Sequence, residues 1–114
     1  MKKIYKIYEI TRGNTGGFVV EITEDNMPIE VDAMYLTVKD NWEEENVIFQ
    51  KKLSSEITYQ EGKYYIVINP EDTDALDYGR YCYDIKFIID GIEKTIEKGV
   101  FLVSEAVTHL VNEV

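Results

Sequence analysis

Only one cysteine, Cys82, occurs among 114 residues, so no disulfide can form within the chain and folding does not depend on an oxidising compartment. Histidine is nearly as scarce: His109 stands alone, with no second histidine to share a metal or relay a proton. No apolar run approaches the roughly 18 residues that a membrane-spanning helix needs, and no charged-then-apolar leader opens the sequence. The expectation is a protein made in the cytosol and soluble there, with no membrane partner. Basic residues are outnumbered, 12 Lys and Arg against 22 Asp and Glu, which gives a formal charge of −10. A surface of that sign repels phosphate backbones, so nucleic acid is excluded as a partner.

Apolar residues make up 45% of the chain and nine tyrosines are present. That is enough to bury a core, and the length is that of one domain. Period-two alternation dominates. Phe18, Val20 and Ile22 alternate with more polar neighbours, as do Met34, Leu36 and Val38, then Tyr64, Ile66 and Ile68. Tyr81, Tyr83, Ile85, Phe87 and Ile89 form a longer set, which marks a central strand. Such alternation puts one residue set on a core face and the other outside. Weaker strand signals cover Ile4 to Ile10, Val47 to Leu53, Glu56 to Gln60, Ile92 to Glu97 and Val100 to Val103. Asp90-Gly91 and Glu61-Gly62 read as tight hairpin turns, because glycine accepts the positive φ these turns need. Gly13 to Gly17 reads as a flexible connection. Gly99 reads as a bulge or a break between strands.

One helical turn is marked by Asn69 as cap, Pro70 at the first helical position, and Glu71 and Asp72 at the positive end of the dipole. Leu76 would pin it to the core. Near the C-terminus the period changes: Val107, Leu110, Val111 and Val114 fall at helical spacing after Ser104. A short helix is expected there, with a final extended strand as the competing reading. The domain is placed at 1–104 and the tail at 105–114.

Asp77-x-Gly79-x-Tyr81-x-Tyr83 follows the helical turn. Asp-x-Gly-x-Tyr is the spacing of a tyrosine corner, found where a loop crosses between the sheets of an immunoglobulin-like sandwich. The predicted fold is therefore all-β: an immunoglobulin-like antiparallel β-sandwich of about seven to nine strands with one short helical turn. Tyr83 occupies the position where a disulfide-bonded antibody-type domain has a cysteine. Cys82 lies one position off and unpaired.

No set of residues assembles a catalytic site. Cys82 has no histidine nearby, and a nucleophilic thiol needs one. Asp72, Asp74 and Asp77 with Glu71 could attract calcium, but they lack the twelve-residue loop spacing; capping accounts for Asp72 and the corner for Asp77. Arg12-Gly13-Asn14-Thr15-Gly16-Gly17 lacks the helix start that a phosphate cradle needs. Glu43-Glu44-Glu45 reads as a solvated loop. No cofactor and no metal are expected. Trp42, in a polar loop, either anchors a partner or covers the edge of the core. Val107, Leu110, Val111 and Val114 with Trp42 are the candidate interface residues.

The complete pattern has a resemblance. Arg12-Gly13-Asn14-Thr15 leads into an apolar strand, and Pro28-Ile29 leads into Tyr35-Leu36-Thr37-Val38-Lys39. Asp72-Thr73-x-x-Leu76-x-x-Gly79-x-Tyr81-x-Tyr83-Asp84-Ile85 and Thr95-Ile96-x-x-Gly99-x-Phe101-x-Val103 follow. Over about residues 9 to 108 this resembles small β-sandwich proteins of tailed phages and prophages, similar to the N-terminal domain of baseplate upper proteins. The first loop departs from that pattern, with Asn14 where Asp is expected. The resemblance implies a virion structural protein, made in the host cytoplasm, that docks onto other tail or baseplate proteins, with no catalytic residues to carry over. Such proteins often carry a long domain after the sandwich; a chain ending at Val114 would be the sandwich with a short tail. A homo-oligomer is expected. The alternative reading is a carbohydrate- or cell-surface-binding sandwich module, with Trp42 and Tyr78 stacking on sugars.

Overall fold

Met34, Leu36 and Val38 have no exposed surface, while Tyr35, Thr37 and Lys39 between them are half-exposed. This is alternation turned into structure: a strand with one face in the core and one facing out. The same holds at Tyr64, Ile66 and Ile68, all buried, and at Tyr83 and Ile85. In the computed structural model, which describes residues 6–43 and 45–105, the strands run in the order β1 (Lys6–Thr11), β2 (Gly16–Val20), β3 (Thr23–Glu24), β4 (Met27–Pro28), β5 (Ala33–Lys39), β6 (Val47–Lys52), β7 (Ile57–Gln60) and β8 (Lys63–Ile68). One helical turn, α1 (Pro70–Thr73), precedes the long strands β9 (Gly79–Ile89) and β10 (Ile92–Ser104).

These strands make two main sheets. A five-stranded sheet has the order β1-β10-β9-β5-β6, and a three-stranded sheet has the order β2-β8-β7. Their inner faces share one hydrophobic core. Strand β9 lies in the middle of the larger sheet, as its length implies. Pairing is antiparallel except at the β1 edge, where β1 runs parallel to β10 from Lys6↔Gly99 to Thr11↔Ser104. The first strand thus leaves the sheet of its sequence neighbour β2 and joins the other one, which the expected all-antiparallel sandwich did not include.

Asp90 and Gly91 both take positive φ, 51° and 76°, and so do Glu61 and Gly62, 50° and 82°. These two turns close the β9–β10 and β7–β8 hairpins as the sequence predicts. A third turn of this kind, Asp25-Asn26, joins β3 to β4, a ribbon absent from the sequence reading. Strands of two residues carry no period to detect.

Two glycine expectations need correction. The chain does not break at Gly99: β10 runs through it, and the register shift falls between Thr95 and Glu97. Gly99 is required by close approach, since a Cβ there would lie 2.2 Å from the Lys6 carbonyl oxygen and 3.1 Å from Tyr83 Cε1. Nor is Gly13 to Gly17 a loose connection. Gly16 and Gly17 belong to β2, and the Gly17 N–H donates to Tyr8 Oη at 2.8 Å. The Gly13 N–H donates to Thr73 Oγ1 at 2.9 Å, which docks the first loop onto α1.

α1 is fixed from both sides. Asp72 Oδ2 accepts the Asn69 N–H at 2.7 Å, so the turn is capped from the third helical position back to Asn69. The same carboxylate oxygen meets Lys51 Nζ at 2.7 Å, and both side chains are largely buried. Lys51 lies on β6, so this ion pair ties the edge of the larger sheet to the turn that leads into β9. Leu76 packs against the core, as expected. The predicted tail helix, with His109, Val107, Leu110, Val111 and Val114, lies outside the described residues.

Removing one partner of a buried pair strands the other charge. Asp72→Ala is expected to cost about 3 kcal/mol of unfolding free energy in urea titrations. Adding Lys51→Met to that variant should recover all but the ~1 kcal/mol of the lost cap. Equal stability of wild type and Asp72→Ala would show that the pair contributes nothing.

Candidate functional site

The corner comes first because it fixes where β9 starts. Gly79 takes φ 140°, a conformation that favours glycine. Two residues on, Tyr81 Oη donates to the Asp77 carbonyl at 2.7 Å. Arg12 lies over the Tyr78 ring, 4.2 Å from its centroid, and donates to the Leu76 carbonyl at 3.3 Å. The first loop and the corner thereby hold each other at one end of the sandwich.

From that start, β9 sends Tyr83 inward. Its ring lies 5.4 Å from Phe18, which belongs to the opposite sheet, and 6.4 Å from Phe101. Its hydroxyl donates to Glu97 Oε2 at 2.5 Å. Burial, reinforced by the Glu97 carboxylate, pushes the Tyr83 phenol far above its ordinary pKa, so it stays a donor. Lys6 Nζ pairs with the other Glu97 oxygen at 3.2 Å.

With Tyr83 inward, Cys82, Asp84 and Lys86 face out, and register sets their neighbours. Lys98 on β10 and Thr37 on β5 flank Asp84, and Gln50 on β6 continues the row. One row over, Val100 and Lys39 flank Cys82, with Ile7 beyond Val100 and Val47 beyond Lys39. The outer face of the larger sheet is thus a broad surface in which exposed Ile7 and Val47 border a charged centre. Its strands carry the cations Lys39, Lys52, Arg80, Lys86 and Lys98 and the acids Glu9, Asp84 and Glu93, and the loop around Trp42 adds exposed Asp40, Glu43 and Glu45.

Trp42 lies across this face. It borders a shallow depression with Thr37, Lys39, Cys82 and Asp84, and Lys98 Nζ stands 5.0 Å from its ring centroid. It is 44% exposed. The tryptophan therefore covers the outside of the sheet, where the sequence reading had placed it over the core edge or in a partner. Cys82 is buried beneath this cover, and burial raises its thiol pKa, which disfavours the thiolate.

Asp84 is the unusual member. Among the described residues no ion pair and no side-chain hydrogen bond reaches its carboxylate. Lys86 pairs instead with Glu93 at 3.1 Å, and Lys98 turns to Trp42. Burial pushes the Asp84 pKa up, and nearby Lys86, Lys39 and Lys98 offset this only in part.

Asp77 and Tyr81 meet at the corner with Gly79 between them, Tyr83 instead enters the core against Phe18, Phe101 and Glu97, and Trp42 lies apart on the outer face. Asp84, Lys98 and Lys39 were not singled out in the sequence. The alternation of β9 placed Asp84 outside, but nothing local reveals which residues of β5 and β10 stand beside it. Among the described residues no three of His, Cys, Asp and Glu are grouped to hold a metal ion, and no helix is long and apolar enough to cross a membrane.

Two facing sheets, a first strand that crosses to pair in parallel with the last, and a tyrosine hydroxyl closing the corner before the central strand define an immunoglobulin-like β-sandwich. No protein-family model matches the chain, and no curated protein matches it. Among solved structures, the chain is similar to the extracellular domain of the voltage-gated sodium channel beta4 subunit, described as forming parallel homodimers in cell–cell adhesion. Identity is 12% over 94% of this chain and 98% of that one, with a TM-score of 0.45.

Because the folded state raises the Asp84 pKa, its stabilising contribution is full below the unfolded value of about 4 and is lost as pH rises through the folded value. Asp84→Asn should therefore melt at a higher temperature than wild type near neutral pH, with the gap closing by about pH 3.5. Identical melting curves at neutral pH would show that Asp84 is adequately solvated.

Proposed function

We propose that this chain is a non-enzymatic structural protein of a phage or prophage virion, a tail or baseplate module that acts through protein–protein contacts. The observation that carries the reading is the outer face of the five-stranded sheet. It is broad, half-exposed and mixed in character, with apolar Ile7, Val47 and Trp42 around a charged centre. Interfaces combine such an apolar part with charged groups that fix register. The phage setting rests on the motif resemblance from Arg12 to Val103. In that setting the protein is made in the host cytoplasm and ends in the particle. The absence of catalysis is part of the proposal: Cys82 lies buried with a raised pKa and no histidine beside it in the strand rows.

A carbohydrate-binding reading keeps one supporting observation, the partial exposure of Trp42 and Tyr78. The two rings do not form a common platform: Trp42 lies over the larger sheet near Lys98, and Tyr78 lies under Arg12 at the corner.

The test is affinity capture of purified protein with the tail and baseplate proteins encoded beside it, alongside a glycan array. Retention of at least one tail protein, weakened by charge reversal on the outer face, is the expected result. Capture of none of them sinks the phage reading. Glycan binding abolished by Trp42→Ala would replace it with the alternative.

A further inference from the structure

We propose that the cleft between the two sheets, at the far end of β9 from the tyrosine corner, receives a lysine or arginine side chain of a docking protein, with Glu30 and Asp32 meeting its charge and Tyr59 flanking its stem. The inference rests on the reading of this chain as a protein–protein module. It names what a partner presents at a place separate from the outer face.

Both sheets build the cleft. Leu53 follows β6 of the larger sheet, while Tyr59 on β7 and Tyr64 on β8 belong to the smaller one. Glu30 and Asp32, between β4 and β5, line it together with Ser54. Its volume is about 390 Å³, within the ~300–1,000 Å³ of small-ligand sites. The walls are held by bonds of their own. Tyr64 Oη accepts the Val31 N–H at 2.8 Å and donates to the Ile29 carbonyl at 3.1 Å. Asp32 Oδ2 accepts the Asp90 N–H at 2.9 Å, and the Leu53 N–H donates to the Met34 carbonyl at 3.0 Å. A cleft fixed in this way loses little freedom when it is filled.

The lining selects a group that donates and carries positive charge. None of its side chains bears an N–H, and two are carboxylates. Tyr64 Oη is already engaged twice, which leaves the Ser54 and Tyr59 hydroxyls as the side-chain donors. A sugar needs donors and acceptors together, whereas an ammonium or guanidinium group only donates. The lysines near this end are directed elsewhere. Lys63 pairs with Glu21 at 3.7 Å, and Lys52 follows buried Lys51 on β6, so it lies on the outer face. Burial chiefly, then Tyr59 and Glu30, pushes the Tyr64 phenol pKa up, so the Glu30 charge is felt at the cleft wall. Tyr59 leans on Tyr64 with ring centroids 4.7 Å apart and stays half-exposed. An aromatic surface beside carboxylates suits both the aliphatic stem and the charge of a basic side chain. A metal ion fits less well: among the described residues no third His, Cys, Asp or Glu joins this pair to hold one.

Amide NMR titration of the full chain with N-acetyl-lysine amide and N-acetyl-arginine amide tests this. Saturable shifts clustered at Glu30, Asp32, Ser54, Tyr59 and Tyr64 are expected from at least one of the two. N-acetyl-norleucine amide, with a similar stem and no charge, should bind at least about tenfold more weakly. Glu30→Gln and Asp32→Asn together should weaken the basic probe by at least about tenfold. The double variant should melt no lower than wild type, since an amide oxygen still accepts the Asp90 N–H. Shifts that are absent, or scattered over the surface without this cluster, overturn the inference. So do a neutral amide that binds as well as the basic probes, a basic probe indifferent to the double variant, and a methyl glucoside that shifts the cluster when neither basic probe does. The probes act without any partner protein. Failure here therefore leaves the capture of tail proteins to be judged by itself, and failure of that capture leaves this binding result standing.

Discussion

The architecture depends on Tyr83. It stands at the inter-sheet position where a disulfide-pinned immunoglobulin domain has a cysteine, and this chain has no second cysteine to pair. A ring replaces the covalent link. Phe18 from the small sheet contacts both Tyr83 and Tyr8, at 5.4 and 4.4 Å, and Phe101 contacts Tyr8 at 5.5 Å. Aromatic pairs at these separations contribute about 0.5–1.5 kcal/mol each beyond the area they bury. The ring brings a hydroxyl into the core, and a buried hydroxyl needs a partner. Glu97 supplies it. Two further features follow from that one requirement. The register shift between Thr95 and Glu97 changes the phase of β10, so that Glu97 shares the inner face with Phe101 and Val103. Gly99, between them in phase, leaves space for the Tyr83 ring edge.

A second constraint acts at the end where the chain crosses between sheets. α1 is one turn long, far too short to be stable by itself. It persists because Asp72 faces two donors, the Asn69 N–H and Lys51, while Thr73 receives the Gly13 N–H. Lys51 must be buried to reach it. This buried charge is thus a matter of placement: the pair sets where β6 and the entrance to β9 lie relative to one another. The Arg12–Tyr78 contact fixes the same junction from the other side.

Much of the fold was legible because it follows from local rules. Alternation placed Met34, Leu36, Val38, Tyr64, Ile66 and Ile68 in the core, and positive-φ turns located the two main hairpins. The Asp-x-Gly-x-Tyr spacing pointed to the crossing. What escaped notice depends on partners distant in sequence. Lys51 and Glu97 read as solvent-facing charges until their strands are paired and their partners, Asp72 and Tyr83, are known. Gly16 and Gly17 read as loop because their need for a missing Cβ comes from Tyr8 and the Ile66 carbonyl. The outer face was half legible. The phase of β9 exposed Asp84, but its row, Lys98–Asp84–Thr37–Gln50, exists only through the register of four strands.

That row separates the two kinds of charge in this protein. Lys51 with Asp72, and Glu97 with Tyr83 and Lys6, are buried or partly buried and satisfied within the chain. Asp84 is partly buried and has no ion pair among the described residues, and its carboxylate oxygens keep contact with solvent. A neutral residue there would relieve the desolvation of the isolated domain without disturbing the core, since the side chain points away from it. Stability of the single domain therefore gives no reason for a carboxylate at this position. A cation brought by a docking partner would meet a carboxylate already partly stripped of water, and that partial desolvation would strengthen the pairing.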